Sequence, residues 1–431
     1  MSLNKKLPFS LIEISFYFFP LSLILGSLIV NINLIIFLFL SFFFFMQKKI
    51  KIVLSRSSIF LLLFFVTIII SSILNVKTIE IPNLIKSILL LKFFLLYLSL
   101  ETLIKNDKIN LDYFFVVCII LVSFVSLDLI IQFFYGKNVL GYKPWEGRIT
   151  GVFEHEAIAG AYLQKLFLFS LIGSLLIFKK NNKIEFFSSL FLIMIIIFGS
   201  FVASNRISFF ILITSSLILI IFFSKFRKKL IIAFIFLTPI FTYLYQTNEQ
   251  TNIKYEGFIN KVGQLTNFNK VSNETENLTS EVSSGHRILP NHGKIFLTAF
   301  KSFDNNKIIG NGLKSFRFEC KKYLLEKNTI CSTHPHNYHL EVLHDTGLIG
   351  FMFITIFVIL ILIEKIKLIL QNKILNINKL VLVLILLNFM IELFPIKSTG
   401  SLFTTWNGSL VWIAAALINY KYHEIDSKKI F

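Results

Sequence analysis

Cys331-Ser-Thr-His334-Pro-His336-Asn-Tyr-His339-Leu-Glu-Val-Leu-His344-Asp-Thr-Gly347-Leu-Ile-Gly350-Phe351 is where the longest polar segment of the chain runs into a long apolar helix. Pro335 suits the first turn of such a helix, because the N–H it lacks would be unpaired there in any residue. The sequence therefore predicts His336 at the helix N-terminus, beside free backbone donors and the positive end of the dipole. That position disfavours the imidazolium. A neutral imidazole can accept a proton, and free N–H groups can hold an anion.

Outward from this junction, composition sets the class. The 431 residues are 55% hydrophobic and 16% charged, with a mean hydropathy of +0.74. No soluble domain hides that much apolar surface, so the expected fold is an all-α polytopic membrane protein. The 51 Phe read as compositional bias, because lipid-facing positions accept any large apolar residue. A net charge of +19 would point to nucleic acid in a soluble protein. Here the Lys clusters lie in short loops between apolar runs, so no nucleic-acid partner is expected. Lys5 and Lys6 precede a long apolar run with no small-residue cleavage site, so no cleavable signal peptide is expected.

Apolar runs long enough to span occur at about Phe9–Val30, Leu34–Met46, Ile59–Leu74, Ile81–Leu103, Tyr113–Tyr135 and Ala157–Phe178. They continue at about Phe186–Ala203, Ile207–Phe223, Leu230–Tyr245, Asn337–Ile363, Leu380–Phe394 and Leu402–Tyr420. This predicts about twelve transmembrane helices, with Asn31 and Asn33 tightening the hairpin between the first two. The basic groups around Lys5, Lys48, Lys105, Lys179, Lys225 and Lys365 and the tail Lys421/Lys428/Lys429 fall on alternate loops. All then land on one side, which places both termini in the cytoplasm of a bacterial inner membrane. Four regions follow: N-terminal helices over 1–135; helices over 136–245 with a first periplasmic loop at 136–156; a large periplasmic loop over 246–335; and C-terminal helices and tail over 336–431.

The large loop begins with a stretch rich in Asn, Thr, Ser and Glu. It then acquires a helical period, with Ile295, Phe296, Ala299, Phe300 and Phe303 on one face of Asn291–Phe303. An amphipathic helix on the membrane surface or over the mouth of the bundle reads this way. Gly310-Asn-Gly312 ends it in a turn. Of the three Cys, Cys118 lies in a helix as packing, while Cys320 and Cys331 share the loop. The latter are either free thiols or a disulfide worth up to about 3 kcal/mol, and an oxidising compartment favours the bond.

Arg148, Arg206 and Arg287 lie where outer loops meet helices, as does His336. A lone Arg at the boundary snorkels to lipid headgroups. Grouped with a helix-terminal His, these arginines point to an anionic ligand, with pyrophosphate the natural candidate, because guanidinium binds phosphate oxygens bidentately. His334, His339 and His344, with His286 and His292, have poor spacing for zinc, and no His-Glu-x-x-His is present. No metal or cofactor is expected; His339 and His344 read as polar helix-face contacts, and Glu154-His155-Glu156 as a solvated loop.

His334-Pro-His336-Asn337 with Leu340, Gly347 and Gly350 resembles the signature of the O-antigen ligase and O-antigen polymerase superfamily. So do Gly310-Asn-Gly312-Leu-Lys-Ser-Phe316, Arg206, Arg148-Ile-Thr-Gly151-Val-Phe153 and Pro395-Ile-Lys397-Ser-Thr-Gly400-Ser-Leu-Phe403-Thr-Thr-Trp406-Asn407. The resemblance covers roughly Arg148 to Asn407. It implies an inverting, metal-independent transfer of a glycan from undecaprenyl diphosphate to an acceptor hydroxyl at the outer face of the inner membrane. By position, His336 would be the base, Arg206 and Arg287 the diphosphate pair, and Arg148 and His334 further substrate contacts. His334 stands as the alternative base and Arg317 as the alternative to Arg287.

The resulting expectation is an O-antigen ligase-type glycosyltransferase with lipid A core as acceptor. A polymerase of the same superfamily, with a lipid-linked repeat unit as acceptor, shares the topology and the site. Protein O-oligosaccharyl transfer is a further option within the class. From another class, a lipid-linked oligosaccharide flippase would place charged sites near the bilayer midplane. The span interiors carry only scattered charges, such as Glu13, Lys86, Lys92, Asp128, Lys165 and Glu392, which favours the enzyme.

Overall fold

The computed structural model describes residues 10–48, 50–52, 54–177, 181–203, 205–256, 291–326, 328–371 and 377–420. Regular structure among them is helical, apart from one isolated bridge between Trp145 and Arg148. Among the described residues, eight helices are long and apolar enough to cross a membrane, and Arg206–Phe222 is a shorter apolar one. Ile377–Glu392 and Thr405–Leu417 are also helices of fewer than 18 residues. The protein is a multi-pass helical bundle whose exposed Phe39, Phe42 and Phe43 are suited to lipid contact. Buried Ser41, Ser71, Ser126, Ser170, Ser189 and Ser216 are small residues of the kind that lets membrane helices approach closely.

The chain runs up and down. At one end, the Tyr17 hydroxyl donates to Asn110 O at 2.7 Å, joining the first helical segment to the start of Leu111–Tyr135. At the other end, residues from 27, 148–165, 205–208, 254, 292, 334–338 and 397–407 meet around one cavity. The connections with Lys105 and Lys108, with Lys183, and with Lys225 to Lys229 fall at the ends of the helices away from that cavity.

The first hairpin differs from expectation. Asn31 and Asn33 lie inside a continuous helix, Ser27–Lys48, and the turn is at Gly26, with φ of 100°. Asn33 instead pairs across the hairpin: its amide donates to Ser15 O at 3.1 Å and its Oδ1 accepts from Ser15 Oγ at 2.9 Å. A buried Asn that satisfies its own polar groups on a neighbouring helix can stay mid-helix. The expected span Ile81–Leu103 lies within one apolar candidate span, Val76–Lys105, whose helical course is interrupted at Glu80 and continues through Leu90 into Leu91–Lys105.

The expected unbroken span Asn337–Ile363 is two helical pieces merged within Tyr338–Gln371, with a break at Gly347, where φ is 65°. The backbone groups released by the break are taken up by the segment after the amphipathic helix. Asn311 N donates to His344 O at 2.9 Å and Gly312 N to Asp345 O at 3.1 Å, while Leu348 N donates to Lys307 O at 2.8 Å. Lys314 N donates to the Asp345 carboxylate at 2.7 Å. His344 is fully buried: Nδ1–H donates to Asp345 at 2.8 Å and Nε2 lies 2.8 Å from Ser302 Oγ. It is therefore a structural contact, as its spacing suggested. His339 is another, with Nε2 donating to Leu393 O at 2.7 Å.

Asn291–Phe303 forms a helix and packs against the Tyr338–Gln371 helix. Ile295 and Ala299 bury against Phe316 and Cys320, with Cys331 and Leu340 beside them, in a small core separate from the main one. Cys320 and Cys331 are joined as a disulfide, with Cα atoms 5.0 Å apart.

A Cβ on Gly347 would sit 2.3 Å from Ile308 O, whereas one on Gly136, at φ of 73°, meets nothing within 4 Å. Gly136→Ala should cost only the backbone strain, about 1 kcal/mol. Gly347→Ala should cost about 3 kcal/mol or more. Thermal unfolding in detergent measures both, and equal midpoints for the two variants would refute the close packing at Gly347.

Candidate active site

The helix that follows the His-rich stretch begins at Tyr338, three residues after Pro335. Asn337 caps it: its Oδ1 accepts from Leu340 N at 3.1 Å and its carbonyl accepts from Glu341 N at 2.9 Å. The cap carboxamide therefore occupies a donor that sequence reading left open for an anion. His336 lies just before the cap in the left-handed region, with φ of 55°, a conformation uncommon for a residue with a Cβ and one that is held by its surroundings.

The surroundings are a strap from the end of the Ile377–Glu392 helix. The Asn337 amide donates to Pro395 O at 2.6 Å and to Lys397 O at 3.1 Å. Thr399 N donates to His336 O at 2.8 Å. The Ser332 hydroxyl lies 3.1 Å from His336 Nε2. His334 packs against His336 with ring centroids 4.0 Å apart, and His292 approaches His336 from the amphipathic helix at 5.2 Å. Burial pushes the His334 imidazole down to about 4, helped by the neighbouring His336. Burial, then His292, lowers His336 as well. A neutral His336 thus follows from desolvation and from its neighbours, without a place on the first helical turn.

These rings line a cavity of about 840 Å³ that also takes in Arg148, Arg206, Lys254, Lys165 and Lys397. Arg206 opens the Arg206–Phe222 helix behind its cap, Asn205, whose Oδ1 accepts from Ser208 N at 3.3 Å. Its Nη1 donates to Lys254 O at 2.8 Å. Lys254 is brought there by Tyr255, which stacks on Phe201 at 4.8 Å and donates its hydroxyl to Phe201 O at 2.8 Å. Burial, then Arg148 and Arg206, lowers the Lys254 ammonium to about 8. Arg148 reaches the cavity from the first polar loop, which is tied to the Leu111–Tyr135 helix by Gln132. The Gln132 Oε1 accepts from Thr150 N at 2.9 Å and from Gly151 N at 2.7 Å. Asp128 on the same helix accepts from Val139 N at 3.0 Å, so that interior charge is a loop anchor.

Four of the sequence candidates thus meet in one cavity: Arg148, Arg206, His334 and His336. Arg287 and His286 lie outside the described residues. Arg317 is not among the residues that line the cavity; its Nη2 approaches Thr333 O at 3.5 Å. Of the acidic loop cluster, Glu156 reaches the lining, while Glu154 pairs with His155 at 3.2 Å in an exposed position. Among the described residues, no group of His, Cys, Asp and Glu is arranged to hold a metal ion.

Sequence reasoning passed over three cations. Lys254 carries no local signal. Lys397 stands in the late motif without an assigned role. Lys165 was read, with Glu392, as a scattered charge, yet the two are directly paired, and Lys397 Nζ contacts the other Glu392 oxygen at 2.7 Å. Two lone charges of opposite sign in otherwise apolar helices were the available signal, because an unpaired ion in such a place costs several kcal/mol.

The cavity can receive an anion with a bulky, partly apolar body and hold a neutral imidazole beside it. Residues 189–355 match the family model described as O-antigen ligase, which supports a place in the O-antigen ligase and polymerase superfamily. Members of that family are membrane glycosyltransferase-like enzymes acting on lipid-linked glycans. The matched segment includes Arg206, His334, His336 and Gly347, while Arg148 and the 395–407 strap lie beyond it. No curated protein matches the sequence.

With a folded value near 4 against about 6.5 in the unfolded chain, His334 takes up its proton on unfolding throughout that window. The folded state therefore loses relative stability as pH falls from about 6.5 toward 4 and keeps it above. Thermal midpoints should drop over that range, and His334→Gln should flatten the drop. A slope unchanged by the substitution would show that His334 is charged in the fold.

Proposed function

We infer that the protein is an inverting glycosyltransferase of the O-antigen ligase type, moving a glycan from undecaprenyl diphosphate to an acceptor hydroxyl of lipid A core. The observation that carries this reading is the meeting of Arg206, Arg148 and a neutral His336 in one cavity at the end of a membrane bundle. Arg206 and Arg148 would bind the diphosphate, with Lys254 adding charge and Arg287 a further candidate. The carrier chain would lie among the apolar helices, which explains a site at the bundle end.

In the transfer, the acceptor O–H gives its proton to His336 as its oxygen bonds to the anomeric carbon. The bond from that carbon to the phosphate oxygen breaks on the opposite face, and its electron pair leaves with the diphosphate. A diphosphate is already a good leaving group, so one base and a cationic cradle are sufficient. The basic loops at the other end of the bundle support a cytoplasmic placement for that end, and so a periplasmic site.

Deletion with complementation, read on surface-glycan gels, tests the assignment. A ligase deletion leaves full-length polymer on the lipid carrier and none on lipid A core. Single repeat units alone would instead identify a polymerase of the same superfamily, and an unchanged glycan would refute both. His336→Ala at normal protein level should lower transfer at least about a hundredfold. Full rescue by that variant would pass the role of base to His334.

A further inference from the structure

Glu392 is buried at the end of its helix with both carboxylate oxygens engaged. Oε1 is paired with Lys165 Nζ and accepts from the Tyr338 hydroxyl at 3.0 Å, and Oε2 meets Lys397 Nζ at 2.7 Å. Lys397 also donates to Gln164 Oε1 at 3.2 Å. The three charged side chains are each no more than 6% exposed. Lys165, Lys397, Gln164 and Tyr338 nonetheless line the cavity that holds His336 and Arg206.

The triad sits between the two halves of the site. Lys397 belongs to the strap that pins His336 and Asn337 through Thr399 N, Pro395 O and Lys397 O. Its side chain folds back on Glu392, closing the strap on the helix from which it departs. Lys165 belongs to Ala159–Ile177, whose first turn touches the other half. A Cβ on Gly160 would lie only 2.8 Å from Asn205 Cβ, and Asn205 is the cap that sets Arg206 at the start of its helix. A continuous path of contacts therefore runs from Arg206 through Asn205, Gly160 and Lys165 to Glu392, Lys397 and the strap behind His336.

We propose that the Lys165–Glu392–Lys397 triad is a positioning device that fixes the spacing between the imidazole of His336 and the guanidinium of Arg206. Its members act through the strap and the Ala159–Ile177 helix. Two cations on one carboxylate make the register one-sided: removing the carboxylate leaves two buried ammonium groups facing each other, and they move apart. The strap and the Ala159–Ile177 helix then separate, and the base no longer meets the acceptor hydroxyl while the diphosphate is held. Misplacement of a reacting group by about 1 Å is enough to cost a hundredfold in rate.

This rests on the glycosyl-transfer reading above, and the test separates the two. Full-length protein in nanodiscs is assayed for transfer from a lipid-diphosphate-linked glycan. Glu392→Gln is expected to lower kcat at least tenfold and to lower the unfolding midpoint, while leaving the donor KM within twofold. Glu392→Asp keeps a carboxylate between the two ammonium groups and is expected to retain at least a third of the wild-type rate. Unchanged kcat in Glu392→Gln overturns the proposal. So does a loss of kcat, donor KM and midpoint together in Glu392→Gln that Glu392→Asp shares in full, since that is the mark of a merely structural pair.

If the wild-type protein transfers nothing, the glycosyl-transfer reading fails first, and spacing is read without activity. Cysteines introduced as Asn205→Cys and Thr399→Cys in a Cys118→Ser background are linked with a short bis-maleimide. A change in cross-linking yield on Glu392→Gln that Glu392→Asp does not show supports the positioning role, and an unaltered yield overturns it.

Discussion

Lipid offers a backbone no hydrogen-bond partners, so every interruption of a membrane helix must be repaired by the protein itself. That constraint shapes the cavity end of this molecule. The break at Gly347 frees carbonyls at His344 and Asp345 and an N–H at Leu348, and the Lys307–Gly312 segment answers each of them. Asn75 Nδ2 donates to Gly310 O at 3.0 Å and Ser71 Oγ to Asp345 O at 2.8 Å, so a third helix joins the repair. Gly310 and Gly347 both need positive φ, and each leaves no room for a Cβ on the other. Their close approach fixes where the short helical piece after Tyr338 points, and with it the strap and His336.

The site is built from charges that mostly have partners. Glu392 answers Lys165 and Lys397, and Arg206 donates to a backbone carbonyl. Around them stand rings that desolvation keeps neutral. Such an arrangement holds positive potential over the cavity without leaving a bare ion in an apolar bundle. In the proposed reaction it would also separate two tasks, with anion binding by groups from the 148, 206 and 254 segments and proton acceptance by a ring held against the strap.

Much of this was legible in the sequence, and the exceptions have physical causes. Helix type and the amphipathic segment Asn291–Phe303 follow from apolar periodicity, which packing does not overrule in a chain this hydrophobic. Arg148, Arg206 and His336 were legible because charged groups at the edge of apolar runs need a reason to be there. The first hairpin was misplaced because Asn31 and Asn33 look like turn residues until Ser15 and Lys92 are known to bind them. The start of the Tyr338 helix was misplaced because Pro335 and Asn337 both fit a helix start, and only the strap decides between them. Glu392 and Lys165 lie 227 residues apart, so no local pattern could have joined them.

The repair at Gly347 also bears on how the chain is made. Ser71, Ser72 and Asn75 find their partners at Asp345, Leu313 and Gly310, separated by 274, 241 and 235 residues. At a synthesis rate of about 5–20 residues per second, the early helix waits roughly 10–60 s for them. Through that interval its polar end must be shielded by the insertion machinery or by water at the interface. The cavity end of the bundle is thus the last part to close during biogenesis, and a truncated chain that stops before Gly310 would leave the Arg56–Leu74 helix without the partners that seat it.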